Sequence, residues 1–150
     1  MIESKIIVPV TLAANNSVVA FQTDDIKTKS ASNCNGWLCH TEGSPLYKLR
    51  QCGVYDVLLT ANIAAPTVGT FSLGIQEDGV VTSQGDQTIR TAGDVANITV
   101  HKTVKVCCNS STSVSIASVP SVLTGTTGTT ATATGIPVIT SATLTITKRP

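Results

Sequence analysis

The side chains in this sequence with the clearest potential for chemistry are five cysteines, which fall in two groups. Three of them, with one histidine, lie in the stretch CNGWLCHTEGSPLYKLRQC, and the other two form a CC pair further along the chain. Thiolate and imidazole groups bind zinc, and paired thiols form disulfides. The sequence therefore predicts a candidate disulfide or metal site made of Cys34, Cys39, His40, Cys52, Cys107 and Cys108.

Three interpretations of the cysteines are open. Cys34 and Cys39 flank an Asn-Gly turn that brings chain ends within disulfide reach, and Cys52 could then pair with Cys107 or Cys108. Four thiolates, or three with the histidine, could instead hold zinc, although C-x4-C departs from the usual C-x2-C spacing. Free thiols are the third interpretation, because a reducing cytosol keeps thiols reduced. The disulfide is preferred, and no cofactor other than this zinc is expected.

The remaining reactive residues do not form a recognisable catalytic motif. The sequence contains no phosphate-binding glycine loop, no Gly-x-Ser-x-Gly elbow and no His-Glu-x-x-His pair. His101 falls on the outward face of a predicted strand, where a solvated histidine is the ordinary case. Turn chemistry explains the acidic stretches TDD (Thr23–Asp25) and EDG (Glu77–Gly79) better than a calcium site does. No catalytic residue is predicted, and the chain is not expected to be an enzyme.

Composition and charge exclude several classes of partner. The formal net charge is only +1 and the ten basic residues are scattered, whereas a nucleic-acid-binding surface needs a dense basic stripe. No apolar run approaches the roughly 20 residues of a membrane-spanning helix. The N-terminal MIESKIIVPV has no credible signal-peptide cleavage site. We therefore expect a protein made in a cytosol, which leaves it only by lysis or within a larger particle.

The pattern of apolar residues has a period of two, which predicts an all-β protein of short strands and turns. GVYDVLLTANIAA is the strongest strand, and Asp78-Gly79 predicts a hairpin. Lys102 interrupts an apolar strand face and predicts a twist or bulge, while Thr124–Gly135 is expected to be an exposed loop. The predicted strands are 17–23, 53–65, 69–79, a weaker return strand after Gly79, 95–108, 110–119, 136–140 and 142–148.

The strand order, the segment GVYDVLLTANI and the closing SATLTITKRP resemble the tumour-necrosis-factor-like jelly roll. That superfamily includes the globular heads of complement-type collagens and short phage proteins, and its Gly-x-Tyr-x-aliphatic signature is met by Gly53, Tyr55 and Val57. The resemblance implies an antiparallel two-sheet sandwich over residues 16–150, with 1–15 as an N-terminal arm or edge strand. It further implies a homotrimer with Tyr55, Val57 and Leu59 at the subunit interface; an ordinary core position is the alternative for Tyr55.

The resemblance also bears on function. Few aromatic residues and differently placed cysteines depart from the animal proteins and favour a microbial or viral protein. The implied function is a structural one in the virion: a trimeric phage capsid decoration or head-fibre component, with the major capsid protein as partner. An N-terminal stripe of Ile6, Val8 and Val10 would then dock on the capsid.

The alternative function is a trimeric knob that binds a receptor or a host glycan through Trp37 and the 124–135 loop. For the sole tryptophan, the preferred interpretation is a plug at one end of the sandwich.

In the jelly roll the strands near Gly53 and Cys108 share one end of the molecule. A local cross-link is therefore favoured there over a catalytic centre.

Overall fold

The computed structural model describes residues 1–12, 17–27, 36–65, 68–119 and 137–150. These ranges contain no helix long and apolar enough to cross a membrane. Their regular structure is entirely β. The strands are β1 Ile2–Ile6, β2 Val10–Thr11, β3 Thr23–Lys27, β4 Leu38–Cys39, β5 Tyr47–Leu49, β6 Gly53–Ala64, β7 Gly69–Glu77, β8 Val80–Ile89, β9 Val95–Val106, β10 Thr112–Val119 and β11 Val138–Lys148.

The described strands form two antiparallel sheets that pack face to face. The first, called the β6 sheet, has the order β3-β1-β11-β6-β9, and β2 also pairs with β11. The second, called the β7 sheet, has the order β4-β5-β10-β7-β8. Neighbouring strands are mostly not consecutive in the chain, because the chain crosses repeatedly from one sheet to the other, as in a jelly roll. The predicted all-β jelly-roll sandwich is confirmed.

The core lies between the sheets and is built by strict alternation along the long strands. Every second residue of β6 from Tyr55 to Ile63 is buried. The even-numbered residues from Val54 to Ala64 face outward. Burying one such aliphatic or aromatic side chain contributes about 1.5–3 kcal/mol. On β9 the predicted inward residues are also buried: Ile98, Val100, Val104 and Val106.

Strand β9 follows β6 without interruption at Lys102. The ladder runs from Gly53 opposite Val106 to Ala64 opposite Val95 with no shift of register, so the predicted bulge is wrong. The Lys102 ammonium lies 3.3 Å from a carboxylate oxygen of Glu77. A lysine can occupy an inward position near a sheet edge because its aliphatic stem packs while its charge reaches a partner.

The two sheets approach closely where β8 passes β9. Ser83 Oγ donates a hydrogen bond to the His101 carbonyl oxygen at 3.1 Å. A Cβ at Gly85 would lie 2.9 Å from Val100 Cγ2 and 3.1 Å from the Thr99 carbonyl oxygen, so a larger residue would force the sheets apart. The sandwich is therefore closed along this side by a glycine and a hydroxyl.

The hairpin between β7 and β8 agrees with its prediction, whereas other local predictions need correction. Asp78 and Gly79 both have positive φ, 50° and 84°, as a two-residue hairpin turn requires. The predicted strand at 17–23 is reduced to a single bridge from Val18 to Ala117. Strand β3 begins only at Thr23, so the TDD stretch lies in a strand instead of a turn.

The N-terminal segment also differs from its prediction. Strand β1 lies between β11 and β3, with Ile2 and Ile6 buried, so these residues form an inner strand and neither an arm nor an edge strand. Val8, expected on an apolar stripe with Ile6, is exposed.

At the other terminus, the strands expected at 136–140 and 142–148 are one strand with a bulge. The 124–135 loop lies outside the described residues.

Candidate functional site

Strand β6 begins and strand β9 ends at the same end of the molecule, and three cysteines meet there. Gly53 pairs with Val106 at the end of the ladder. Just beyond it, the Sγ atoms of Cys52 and Cys108 lie 2.6 Å apart. These two cysteines and Cys107 are exposed and not disulfide-bonded. We call this group of three the cysteine end.

A tight turn determines which cysteine of the CC pair faces Cys52. Asn109 has a left-handed φ of 63°, and both the backbone N–H and the hydroxyl of Ser110 donate to the Cys107 carbonyl oxygen, at 3.2 and 2.7 Å. The chain therefore reverses directly after β9 and brings Cys108 against Cys52. The hydrogen bond between Cys52 and Cys108 is the main reason why the pKa of the Cys52 thiol is raised.

The other predicted sulfur and nitrogen ligands lie elsewhere. Cys39 lies in β4 and is disulfide-bonded, while Cys34 falls outside the described residues. His40 Nδ1 lies 3.0 Å from the Leu46 carbonyl oxygen, and Nε2 lies 3.3 Å from Asp24 Oδ1. Across the described ranges, no three His, Cys, Asp or Glu side chains converge closely enough to hold a metal ion. The described residues thus do not assemble the zinc ligand set that the sequence suggested.

Trp37 packs as part of the sandwich end. Its half-buried ring lies against the core, with its centroid 5.4 Å from that of Tyr55 at an angle of 32°. Its carbonyl oxygen accepts a hydrogen bond from the Arg50 N–H at 2.9 Å, and the Tyr55 hydroxyl donates to the Gln51 carbonyl oxygen at 2.6 Å. These contacts match the plug interpretation, because one face of the indole is engaged with Tyr55.

The three residues expected at a trimer interface do not reach the surface. Tyr55, Val57 and Leu59 are 0%, 0% and 1% exposed within the single chain, so their side chains cannot contact another subunit. The cause is the alternation of β6, which directs odd-numbered positions inward. The outward surface of β6 is formed instead by the even-numbered residues, among them Leu58, which is 42% exposed.

These outward residues belong to a broad uncharged surface on the β6 sheet. Three registered rows cross β11, β6 and β9, and we call this surface the outer β6 face. Asn62 Nδ2 donates to Ser141 Oγ at 3.0 Å, and Asn97 Nδ2 donates to Asn62 Oδ1 at 3.0 Å. The rows are Thr145–Leu58–His101, Thr143–Thr60–Thr99 and Ser141–Asn62–Asn97.

Sequence reasoning did not identify the outer β6 face as a site. The alternating Thr, Ser and Asn residues resemble an ordinary solvated strand face when each strand is considered alone. Only strand pairing brings the polar residues of three strands into one surface. The signal in the sequence that could have indicated this surface was the lack of charged residues among these outward positions.

One end of the outer β6 face is closed by a charged cluster. Arg149 Nε donates to Asp56 Oδ2 at 2.6 Å, and its Nη2 donates to Asp56 Oδ1 at 2.7 Å. Thr103 Oγ1 donates to the same carboxylate at 3.1 Å, and His101 Nε2 lies 3.4 Å away. The hydrogen bonds from Arg149 are the main reason why the pKa of Asp56 is lowered to about 2.

A second polar cluster is buried between the sheets on the side opposite β8 and β9. Ser4 Oγ donates to Asp24 Oδ1 at 2.6 Å, and His40 Nε2 lies 3.3 Å from the same oxygen atom. The His40 ring stacks on Tyr47, with centroids 3.8 Å apart and an interplanar angle of 10°. Burial raises the pKa of Tyr47. Ser4 and Asp24 belong to the β6 sheet and Tyr47 to the β7 sheet, so the cluster joins the two layers.

Comparison with known proteins supports the fold. The globular domain of zebrafish complement 1qA protein aligns with a TM-score of 0.60 at 9% identity, covering 95% of this chain and 92% of that one. The Eiger TNF from S. frugiperda aligns with a TM-score of 0.53 at 10% identity, covering 95% and 90%. No protein-family profile and no curated protein sequence matches the chain. The chain therefore has a tumour-necrosis-factor-like jelly-roll fold.

We predict that Asp24 and His40 stabilise the fold as a unit. Replacing either by alanine should lower the free energy of unfolding by about 2–4 kcal/mol, because the remaining polar group stays buried and loses one of its contacts. The double variant should be less destabilised than the two single effects together. Urea denaturation of all four proteins measures this coupling. Asp25→Ala, on the adjacent exposed side chain, is the control and should change stability by less than about 0.5 kcal/mol; additive single effects would contradict the prediction.

We also predict the titration of Asp56. Its folded pKa of about 2 lies below the ordinary value near 4, so its contribution to stability is present above pH 4 and is lost as the pH falls towards 2. Arg149→Met should return the pKa towards the ordinary value, as read from the side-chain carboxyl carbon by NMR. Lys105→Met removes an exposed positive charge from the same strand face as a control. An equal shift in both variants would show that the hydrogen bonds are not the cause.

Proposed function

We propose that this chain is a non-catalytic structural protein of a phage-type virion. In this proposal it assembles as a homotrimer and serves as a capsid decoration or head-fibre component that reinforces or tops the shell. The observation that carries the proposal is the outer β6 face, a broad uncharged surface on a chain that has ten basic and nine acidic residues.

The outer β6 face shares one property with the core of an interface, which is the depletion of charged side chains. Central parts of protein interfaces are depleted of charged side chains, which are costly to remove from water. The nine side chains of this face include hydroxyls, amides, one leucine and one histidine. The Asn62 amide already forms hydrogen bonds with Ser141 and Asn97. A partner surface that covers this amide would therefore leave fewer polar groups without a hydrogen bond.

Charged residues border the face on two sides. The pair of Asp56 and Arg149 lies at one end, and Glu3 and Lys5 of β1 lie beside Thr145 and Thr143. Such an arrangement, with charge at the rim and none at the centre, fits a specific contact between protein surfaces. A homotrimer is the assembly that the resemblance to the tumour-necrosis-factor-like jelly roll implies.

The location in a virion is supported by the resemblance to small phage proteins. The major capsid protein is the proposed partner, and the proposed site of action is the particle released after lysis.

A glycan-binding knob is the competing function, and it relies on Trp37 as a platform for the sugar. Since the Trp37 ring lies 5.4 Å from the ring of Tyr55 and packs against the core, the structural role is favoured.

We predict that the wild-type protein has a mass in solution of three times 15.5 kDa and that Leu58→Asp is monomeric. A carboxylate on β6, the middle strand of this face, would have to lose its water without a partner. Light scattering coupled to size exclusion measures the mass, and circular dichroism confirms that the variant is folded. Val80→Asp, at a 65% exposed position beside the β7–β8 turn, is the control and should remain trimeric. A monomeric wild type, or a trimeric Leu58→Asp, would contradict the proposal.

We further predict that the trimer binds capsids purified from a phage that lacks the gene for this protein. Wild-type protein should co-sediment with these particles, whereas Leu58→Asp should bind much more weakly because it loses the multivalent attachment. The same proteins, with Trp37→Ala, are tested on a glycan array. Absence of capsid binding together with glycan binding that Trp37→Ala abolishes would replace the decoration function by the knob.

A further inference from the structure

We propose that Cys52 and Cys108 form a dithiol–disulfide site that closes when the protein meets an oxidising environment, while Cys107 stays a free thiol. This inference goes beyond the structural function and does not depend on the trimer. It assigns to the cysteine end a covalent modification that stabilises the folded chain.

The geometry at the cysteine end favours this bond. The two Sγ atoms are 2.6 Å apart, so only a small movement separates them from a disulfide length of about 2.05 Å. The backbones are already held together, because Gly53 and Val106 pair directly beside them. Both cysteines are exposed, so a small oxidant can reach them.

The turn after β9 accounts for the choice of Cys108. Continuing the ladder by one more pair would place Cys107 opposite Cys52. The chain instead leaves the sheet at Cys107, whose carbonyl oxygen accepts hydrogen bonds from Ser110. The left-handed residue Asn109 completes the reversal, and the sulfur that reaches Cys52 is that of the following residue, Cys108.

The chemistry is an exchange with a low-molecular-weight disulfide such as glutathione disulfide. One protein thiolate attacks the oxidant, forms a mixed disulfide and releases one glutathione thiolate. The second protein thiolate then attacks the protein sulfur of the mixed disulfide and releases the other glutathione. The two protein thiols lose two electrons and two protons, and two glutathione thiols are formed, so the exchange balances.

One neighbouring charge acts on Cys52. The Lys148 ammonium, which donates to Gln51 Oε1 at 3.0 Å, lowers the pKa of the Cys52 thiol by less than the contact with Cys108 raises it. The pKa of Cys52 therefore stays raised, and the proposal rests on the contact between the two sulfur atoms.

The bond would tie the entry of β6 to the connection that carries the chain from one sheet to the other. Cys52 and Cys108 are 56 positions apart, and closing a loop of this length removes many conformations from the unfolded chain. We expect the melting temperature to rise by roughly 5–15 °C on oxidation. A particle released into an oxidising medium would become more stable without further assembly.

The experiment compares the full-length wild type with Cys52→Ser, Cys108→Ser and Cys107→Ser. Each folded protein is incubated with glutathione disulfide, treated with iodoacetamide and then mapped by mass spectrometry. In the wild type we expect alkylation at Cys107, protection of the other two cysteines and a peptide pair linked through Cys52 and Cys108. Melting temperatures are measured before and after oxidation.

Cys107→Ser is the matched control and should keep the full rise in melting temperature, whereas Cys52→Ser and Cys108→Ser should lose it. The disulfide at Cys39 is common to all four proteins, so its contribution cancels in the comparison. The proposal is overturned if all three thiols alkylate after oxidation, or if glutathione remains attached as a mixed disulfide. It is equally overturned if Cys107→Ser, and not Cys108→Ser, abolishes the rise.

Discussion

The pairing of β6 with β9 on one side and β11 on the other is the constraint on which the rest of the structure depends. Both ladders are long, and β9 matches β6 over its whole length without a shift. A strand held in this way has no freedom to rotate, so its alternation assigns each residue to one surface. Tyr55 and its inward companions build the core, and Leu58 and its outward companions build the outer β6 face.

The two long sides of the sandwich are closed by different means. Where β8 meets β9, Gly85 lets the backbones approach, and the contact needs no large side chain. On the other side, Ser4, Asp24, His40 and Tyr47 place polar groups between the sheets. Buried polar groups of this kind cost desolvation, but their directional contacts admit fewer arrangements than apolar packing does. The cluster therefore helps to define how β3 and β4, two edge strands, lie relative to each other.

The ends of the same ladders shape the cysteine end and the charged rim. The last pair of β6 and β9 brings Cys52 to the turn at Cys107–Ser110, and the end of β11 brings Arg149 to Asp56. Both groups follow from where strands stop, and neither is built from residues adjacent in sequence. The proposed reinforcement and the proposed assembly thus use different parts of one framework: the Cys52–Cys108 pair at the end, and the uncharged surface on the face.

The sequence by itself determined the class of fold, the longest strands, the hairpin at Asp78-Gly79 and the inward residues of β6 and β9, because period-two alternation is a local property. It did not determine β3, β4 and β5, whose few residues carry too short a pattern, nor the inner position of β1. Only the tertiary structure decided that Cys108 faces Cys52, that Asp24 meets His40, and that the outward residues of β6 join those of β9 and β11 in one surface. These depend on register and on turns between distant strands, which pair residues that no local spacing relates.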